Sequence, residues 1–363
     1  MSAPVSTGMS PDPSSPVPAS ARSFKDFAHP LWRRILVTRE SAIIALLIIV
    51  VAVASAVVPH FGAPITLTFL LQDMAPVLLI ALPMTMVIIT GEIDLSVAST
   101  MGLSSVTIGV LTQAHVPIVP AFIAALVVGL VAGAINGALV TLVGLPSLAV
   151  TIGTLALFRG VAQGLLGTQA VTNFPDFWTN LANSNIPGTP LPMVTILVVV
   201  LAIVFAVLLH FTPFGRGVYA IGLSSDAAAF SGVKIVRTKF ILFMLSGLIS
   251  ALAGIYYTLR FSSARGDNAT GLELSVIAAV LLGGVSIFGG KGALHGVVAG
   301  VLLIGVLQSA LRLANVSSDA INIITGVLLV ISVLSPRVVG WIAARRASRQ
   351  RARSSPAQDA VST

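Results

Sequence analysis

Apolar residues run in long unbroken stretches from about residue 41 to about residue 335, and polar residues gather between those stretches. A helix crossing ~30 Å of hydrocarbon needs about 20 such residues. Ten stretches qualify: 42–59, 67–89, 95–112, 118–142, 147–167, 192–211, 240–259, 274–290, 293–312 and 320–335. The third and eighth are rich in small and hydroxyl residues, so either can be a full span or a broken, re-entrant one. The pattern predicts an all-α polytopic membrane protein of about ten transmembrane helices occupying residues 41–336.

Composition agrees and removes other classes. The chain has 363 residues, 56% of them hydrophobic and only 9% charged, with a mean hydropathy of +1.02. A soluble domain averages about 25% charged residues, so this chain cannot clothe a water-exposed surface. Cysteine is absent, which excludes disulfides, thiolate metal sites and cysteine nucleophiles. His29, His60, His115, His210 and His295 are scattered, no two of them three or four apart, so no metal site is expected.

The net charge of +8 is a topology signal and not a nucleic-acid signal. Fifteen of the twenty Lys and Arg residues fall in three groups: before the first span, between the sixth and seventh, and after the last. Basic residues favour the cytoplasmic side. All three groups share that side if the N- and C-termini are both cytoplasmic, as ten spans require. The 168–191 loop, which has no Lys or Arg, then faces outward. Trp32 and Trp341 fall near the inner interface. Residues 1–40 read as a basic cytoplasmic tail that begins with a disordered Pro- and Ser-rich segment, and 337–363 as a second basic tail. No cleavable leader is expected, because the first apolar run is long enough to stay in the membrane.

Two short words recur. Ile93-Asp94-Leu95-Ser96-Val97 echoes Leu272-Glu273-Leu274-Ser275-Val276, and Gly129-Leu130-Val131-Ala132-Gly133 echoes Gly296-Val297-Val298-Ala299-Gly300. Both offsets are five spans, which places the copies in opposite orientations and predicts a 5+5 inverted-topology repeat. Gly129, Gly133 and Gly137 stand four apart, as do Gly292, Gly296 and Gly300. Small residues one turn apart let helices approach closely in lipid.

The polar residues in or beside the spans divide between two roles. Glu92, Asp94, Ser96, Asn136 and Glu273 are candidates for a translocation path. Asp94 and Glu273 equally suit helix N-termini, where a carboxylate meets orphan amides and the helix dipole. Asp73 and Gln308 are further polar groups near span ends, and Arg159 can snorkel or pair with an acid. No catalytic constellation is present. Gly284 to Lys291 imitates a nucleotide loop, but the position where its first glycine belongs holds Val285, and Gly292 follows Lys291 where Ser or Thr is needed.

The basic segment 213–239 holds Asp226-Ala227-Ala228-Ala229-Phe230-Ser231-Gly232. Ser224 or Ser225 can cap a short helix there, Asp226 complements its dipole, and Gly232 can end it. Such a smooth helix suits docking in a partner's groove; an ordinary loop is the alternative.

Three words carry a resemblance to a known family. Gly91-Glu92-Ile93-Asp94-Leu95-Ser96-Val97 resembles GGIDLSVG, with Glu92 in place of the second glycine and Ala98 in place of the last. Leu281 to Gly292 is similar to LGGTSLFGGRG, and Asp226-Ala227-Ala228 with Gly232 resembles the E-A-A-x-x-x-G core of importer coupling loops. Over roughly residues 65–335 the chain resembles the permease subunit of a bacterial sugar-type ABC importer. That is the ribose, xylose, rhamnose and autoinducer-2 group of the branched-chain-permease superfamily, and Glu92 is similar to the rhamnose-type branch.

The resemblance implies an inner-membrane permease without cofactor of its own, importing a monosaccharide such as a pentose or deoxyhexose. ATP and Mg would bind a cytoplasmic ATPase docked at Asp226, Ala227, Ala228 and Gly232. A second permease subunit, identical or different, and a periplasmic or lipid-anchored sugar-binding protein would complete the assembly, with membrane lipid around it and no nucleic acid. An ion-coupled secondary transporter is the rival, but it needs carboxylates buried mid-helix, whereas the acids here cluster at span ends.

The absence of native cysteine makes the repeat testable. Single cysteines introduced beside Asp94 and beside Glu273 are expected to react with impermeant maleimides from opposite membrane faces; same-side labelling would remove the inverted repeat.

Overall fold

The computed structural model describes residues 39–328 and 330. Most of both basic tails, the two interfacial tryptophans and the end of the tenth predicted span lie outside the described residues. Thirteen helices follow one another among the described residues: α1 (Arg39–Val57), α2 (Pro64–Ile89), α3 (Val97–Gln113), α4 (Ile118–Thr141), α5 (Ser147–Leu166), α6 (Asp176–Asn183), α7 (Val194–Phe211), α8 (Pro213–Leu223), α9 (Ser225–Phe230), α10 (Ile235–Phe261), α11 (Leu272–Leu282), α12 (Leu294–Leu313) and α13 (Ser318–Leu328). No strand occurs among these residues; two isolated antiparallel bridges, Val171 with Ala264 and Asn185 with Pro192, tie loops together.

Seven helices are long and apolar enough to cross a membrane: α1, α2, α4, α5, α7, α10 and α12. The third predicted span is the 17-residue α3. The eighth, read over 274–290 as either a full or a broken span, is broken. Its helix α11 has 11 residues and stops at Leu282, a length of roughly 16 Å at 1.5 Å per residue. Beyond it Gly284, Gly289, Gly290 and Gly292 take φ of 94°, 82°, 71° and 149°. Glycine reaches these conformations without the Cβ clash that confines other residues, so the segment folds back as irregular chain.

The core is centred on α2. Every residue from Met74 to Thr90 is buried, and the helix is flanked by α7, α8, α10, α11 and α12. A helix that is apolar on all sides belongs inside its bundle. It carries Pro76 and Pro83. Pro76 has no N–H for the carbonyl of Gln72, and the Tyr256 hydroxyl of α10 donates to that carbonyl at 3.2 Å. In contrast α1, α4, α5 and α7 expose rows of Val, Leu and Ile, including Ile48, Ile123, Leu157 and Ile203. Those faces match a lipid-facing perimeter.

Glycines let α3, α4 and α10 touch backbone to backbone. A Cβ on Gly133 would overlap the Phe243 carbonyl and reach 2.9 Å from the Met244 Cα, and one on Gly129 would overlap Ala251. Gly137 faces Phe240. On the other side of α2, Gly296 and Gly300 of α12 meet Gly283 and Ala279 of α11. Gly292 corrects the expected stripe: it precedes α12, and its role is the φ of 149°.

The α4–α10 contact sets an expectation. Gly133→Leu should lower stability by about 1–3 kcal/mol through overpacking, read as a drop in detergent melting temperature. Gly164→Ala on α5, where an added Cβ meets nothing within 4 Å, should leave it unchanged.

Candidate functional site

The turn between α2 and α3 gathers the polar residues that the core otherwise excludes. Asp94 is 2% exposed. Its Oδ1 accepts from the Ser96 amide at 3.0 Å and the Ser96 hydroxyl at 2.7 Å, and its Oδ2 accepts from the Ser246 hydroxyl of α10 at 2.8 Å. Asn136 of α4 donates to the Ser96 hydroxyl at 2.7 Å. Ser147 of α5 accepts from the Ile93 amide at 3.2 Å, and Thr151 donates to the Ile93 carbonyl at 3.2 Å. Gly290 donates its amide to the Ile89 carbonyl at 2.8 Å. Glu92 is ion-paired with Lys239 of α10, each side chain 16% exposed. One seven-residue turn thus joins α2, α3, α4, α5, α10 and the irregular segment after α11. A buried carboxylate persists only with its lone pairs met.

At the other end of the bundle, which the charge pattern assigns to the outside, lies a cavity of about 860 Å³. Asp73 of α2, Tyr257 of α10, Asn268, Ser275 of α11, Gln308 of α12 and Asn322 of α13 line it. Its charges are already paired. Arg265 forks onto Asp267 with two bonds of 2.9 Å, which holds the Asp267 carboxyl below its usual range. Asp73 meets Arg312 at 3.2 Å and Arg260 at 4.0 Å. What remains toward the space is amide, hydroxyl and apolar surface.

The loop from Ser262 to Gly271 forms one wall, and two devices hold it. Val171 and Ala264 exchange backbone bonds of 3.0 and 2.9 Å. Arg159, partly buried on α5, donates to the carbonyls of Gly266 at 3.1 Å and Asn268 at 2.6 Å. Gly102 on α3 makes the room: a Cβ there would stand 2.8 Å from the guanidinium.

The segment after α7 folds as two short helices. Thr212 caps α8 by accepting from the Gly215 amide at 3.2 Å. Gly222 lies so close to Ile89 and Gly290 that a Cβ could not fit, and Tyr219 donates to the Gly292 carbonyl at 2.7 Å. Helix α9 has six residues, and Ser224 caps it by accepting from the Ala227 amide at 3.3 Å. Gly232, at φ 82°, ends it. Ala228 faces inward, while Asp226, Ala227 and Ala229 are exposed and Phe230 is 92% exposed.

The residues singled out in sequence therefore separate. Glu92, Asp94, Ser96 and Asn136 come together, but in a packed junction and not along the cavity. Glu273 opens α11 beside Arg159, with its Oε2 buried and unbonded among the described residues. The cavity is built from Asp73 and Gln308, noted only as polar span-end groups, and from Tyr257, Asn268, Ser275 and Asn322. Local polarity alone did not distinguish these last four, because the cavity exists only where five helices meet one loop.

The chain matches the family model described as branched-chain amino acid transport system / permease component over residues 66–333. It is similar to the autoinducer 2 import system permease protein LsrD of Photorhabdus luminescens, 38% identical over 262 residues, 70% of this chain and 78% of that protein. The protein of the same name from Escherichia coli (strain K12 / DH10B) is 36% identical over 305 residues, 82% of this chain and 92% of its own. No solved structure matches the chain.

Arg159→Gln should release the cavity wall without unfolding the bundle. Amides 264–270 are expected to exchange hydrogen at least tenfold faster, while those of α2 keep their protection.

Proposed function

The chain belongs to the family of branched-chain amino acid transport system permease components, and from that premise we propose that it imports a small, neutral, polyhydroxylated solute. As the membrane component of an ABC importer it is a multi-pass inner-membrane protein and not an enzyme, and an ATPase and a solute-binding protein work with it. The membership places it with ATP-driven importers and not with ion-coupled ones.

The outer cavity carries the reading of the substrate. An amino acid would need a free cation for its carboxylate and a free anion for its ammonium group. Here Arg265 is spent on Asp267 and Arg312 on Asp73, which leaves hydrogen-bonding groups suited to hydroxyls. The volume lies within the range of ordinary small-molecule sites. A pentose or deoxyhexose such as rhamnose fits this chemistry, as does autoinducer 2, which the relatives' name gives as their cargo.

In this reading ten spans form two inverted halves with cytoplasmic tails, and two permease subunits pair. The partner ATPase binds ATP and Mg. Helix α9 enters a groove of that ATPase, with Asp226, Ala227, Ala228 and Gly232 shaping it and Phe230 as its apolar anchor. Glu92, Asp94, Ser96 and Asn136 form the closed inner end of the path, and Glu273 borders its outer mouth.

Vesicles holding the permease, its ATPase and binding protein should accumulate tritiated rhamnose or autoinducer 2 only with ATP, and leucine not at all. Asp226→Lys and Gly232→Val should each cut uptake at least tenfold while insertion stays normal. Leucine uptake would overturn the substrate class; normal uptake by both variants would overturn the docking role.

A further inference from the structure

Helix α10 begins only four residues after α9 ends, across Ser231 to Lys234. It then grips the α2–α3 turn at two points on one face. Lys239 pairs with Glu92, and Ser246, two turns further along, donates to Asp94. These points lie about 10 Å apart along the helix axis. Lys239 is the nearer to α9 and is ion-paired to the turn. The pair is largely shielded from water, where an attraction is screened less than at an open surface. From the turn, hydrogen bonds run on to α4 through Asn136, to α5 through Ser147 and Thr151, and to the segment after α11 through Gly290.

We propose that the Glu92–Lys239 pair is a strut that passes displacement of α9 into the α2–α3 turn and so to the helices around the path. Both are positioning residues: they act through the α2–α3 turn, and neither lines the outer cavity. The proposal rests on the docking role of α9 and adds to it the route by which motion leaves that helix. A plain structural pair would influence stability alone. A strut makes a sharper demand, because ATP turnover and docking survive its loss while the membrane-side response does not.

The test uses the full permease–ATPase complex and the absence of native cysteine. Ser225→Cys, on exposed α9, reports docking by cross-linking to the ATPase. Spin labels at L148C, beside Ser147 on α5, and at L274C, on the cavity side of α11, report the membrane-side response as a distance shift between nucleotide-free and ATP–vanadate states. With E92Q or K239Q, cross-linking and ATP turnover are expected to stay within about twofold of the unaltered complex, and the distance shift to vanish. The charge exchange E92K/K239E should restore it. A shift that persists in E92Q, or one that the exchange fails to restore when both single variants have lost it, overturns the strut. Loss of the Ser225→Cys cross-link in the otherwise unaltered chain overturns the docking reading itself and the route built on it. Should K239Q fail to fold, the nearly isosteric E92Q and the exchange decide the matter.

Discussion

A carboxylate sits where water does not reach, and the rest of the inner half is arranged around meeting its needs. Asp94 is buried beneath α4 and α10 with two hydroxyls and one amide as donors. Leaving such a group unmet costs several kcal/mol in a low-dielectric interior, so the serines that meet it restrict how α3 and α10 can stand. Ser96 in turn needs Asn136, which brings in α4. The result is a polar knot that ties one turn to helices distant in sequence, at the end of the bundle nearest the cytoplasmic segment.

Close helix contact makes that knot possible. Serine is short, and its hydroxyl reaches Asp94 only because α10 approaches the neighbouring helices closely. Gly129, Gly133 and Gly247 supply the approach between α4 and α10, and Gly254 supplies it against Met101 of α3. Packing and hydrogen bonding therefore support each other here. Across α2, Gly283, Gly296 and Gly300 let α11 lie against α12, even though α11 itself is too short to cross the bilayer.

The two ends of the bundle use polar groups differently. The inner end encloses them in a tight junction where Glu92, Asp94 and Ser96 are all partnered. The outer end lines a cavity with them, and there Arg265 and Asp267 balance each other's charge beside neutral hydrogen-bonding groups.

Much of this was legible in the residues, and the limits of that legibility are physical. Helix positions follow from local hydropathy, because each span must satisfy its own backbone in lipid; that is why seven of the predicted stretches coincide with helices of spanning length and composition among the described residues. The Ser224 cap, the Gly232 stop and the glycine contacts of α4 were likewise visible, being local or periodic features. Glu92 stood out as a departure from the word it resembles, yet its partner Lys239 did not, since a pair 147 residues apart leaves no local trace. That the eighth span could be broken was readable from its small and hydroxyl residues, but the position of the break after Leu282 and the Gly292 turn were not, because glycines in an apolar run fit either a helix or a loop. The cavity was the least legible, because Asn268, Ser275 and Asn322 become neighbours only when α11, α13 and the loop after α10 converge. The amino-acid order by itself determined which segments are apolar enough to span a membrane and where the short capped helix α9 lies; only the folded packing decided that Asp94 would be a sealed junction and Asp73 part of an open wall, because burial is a property of what surrounds a side chain and not of the side chain.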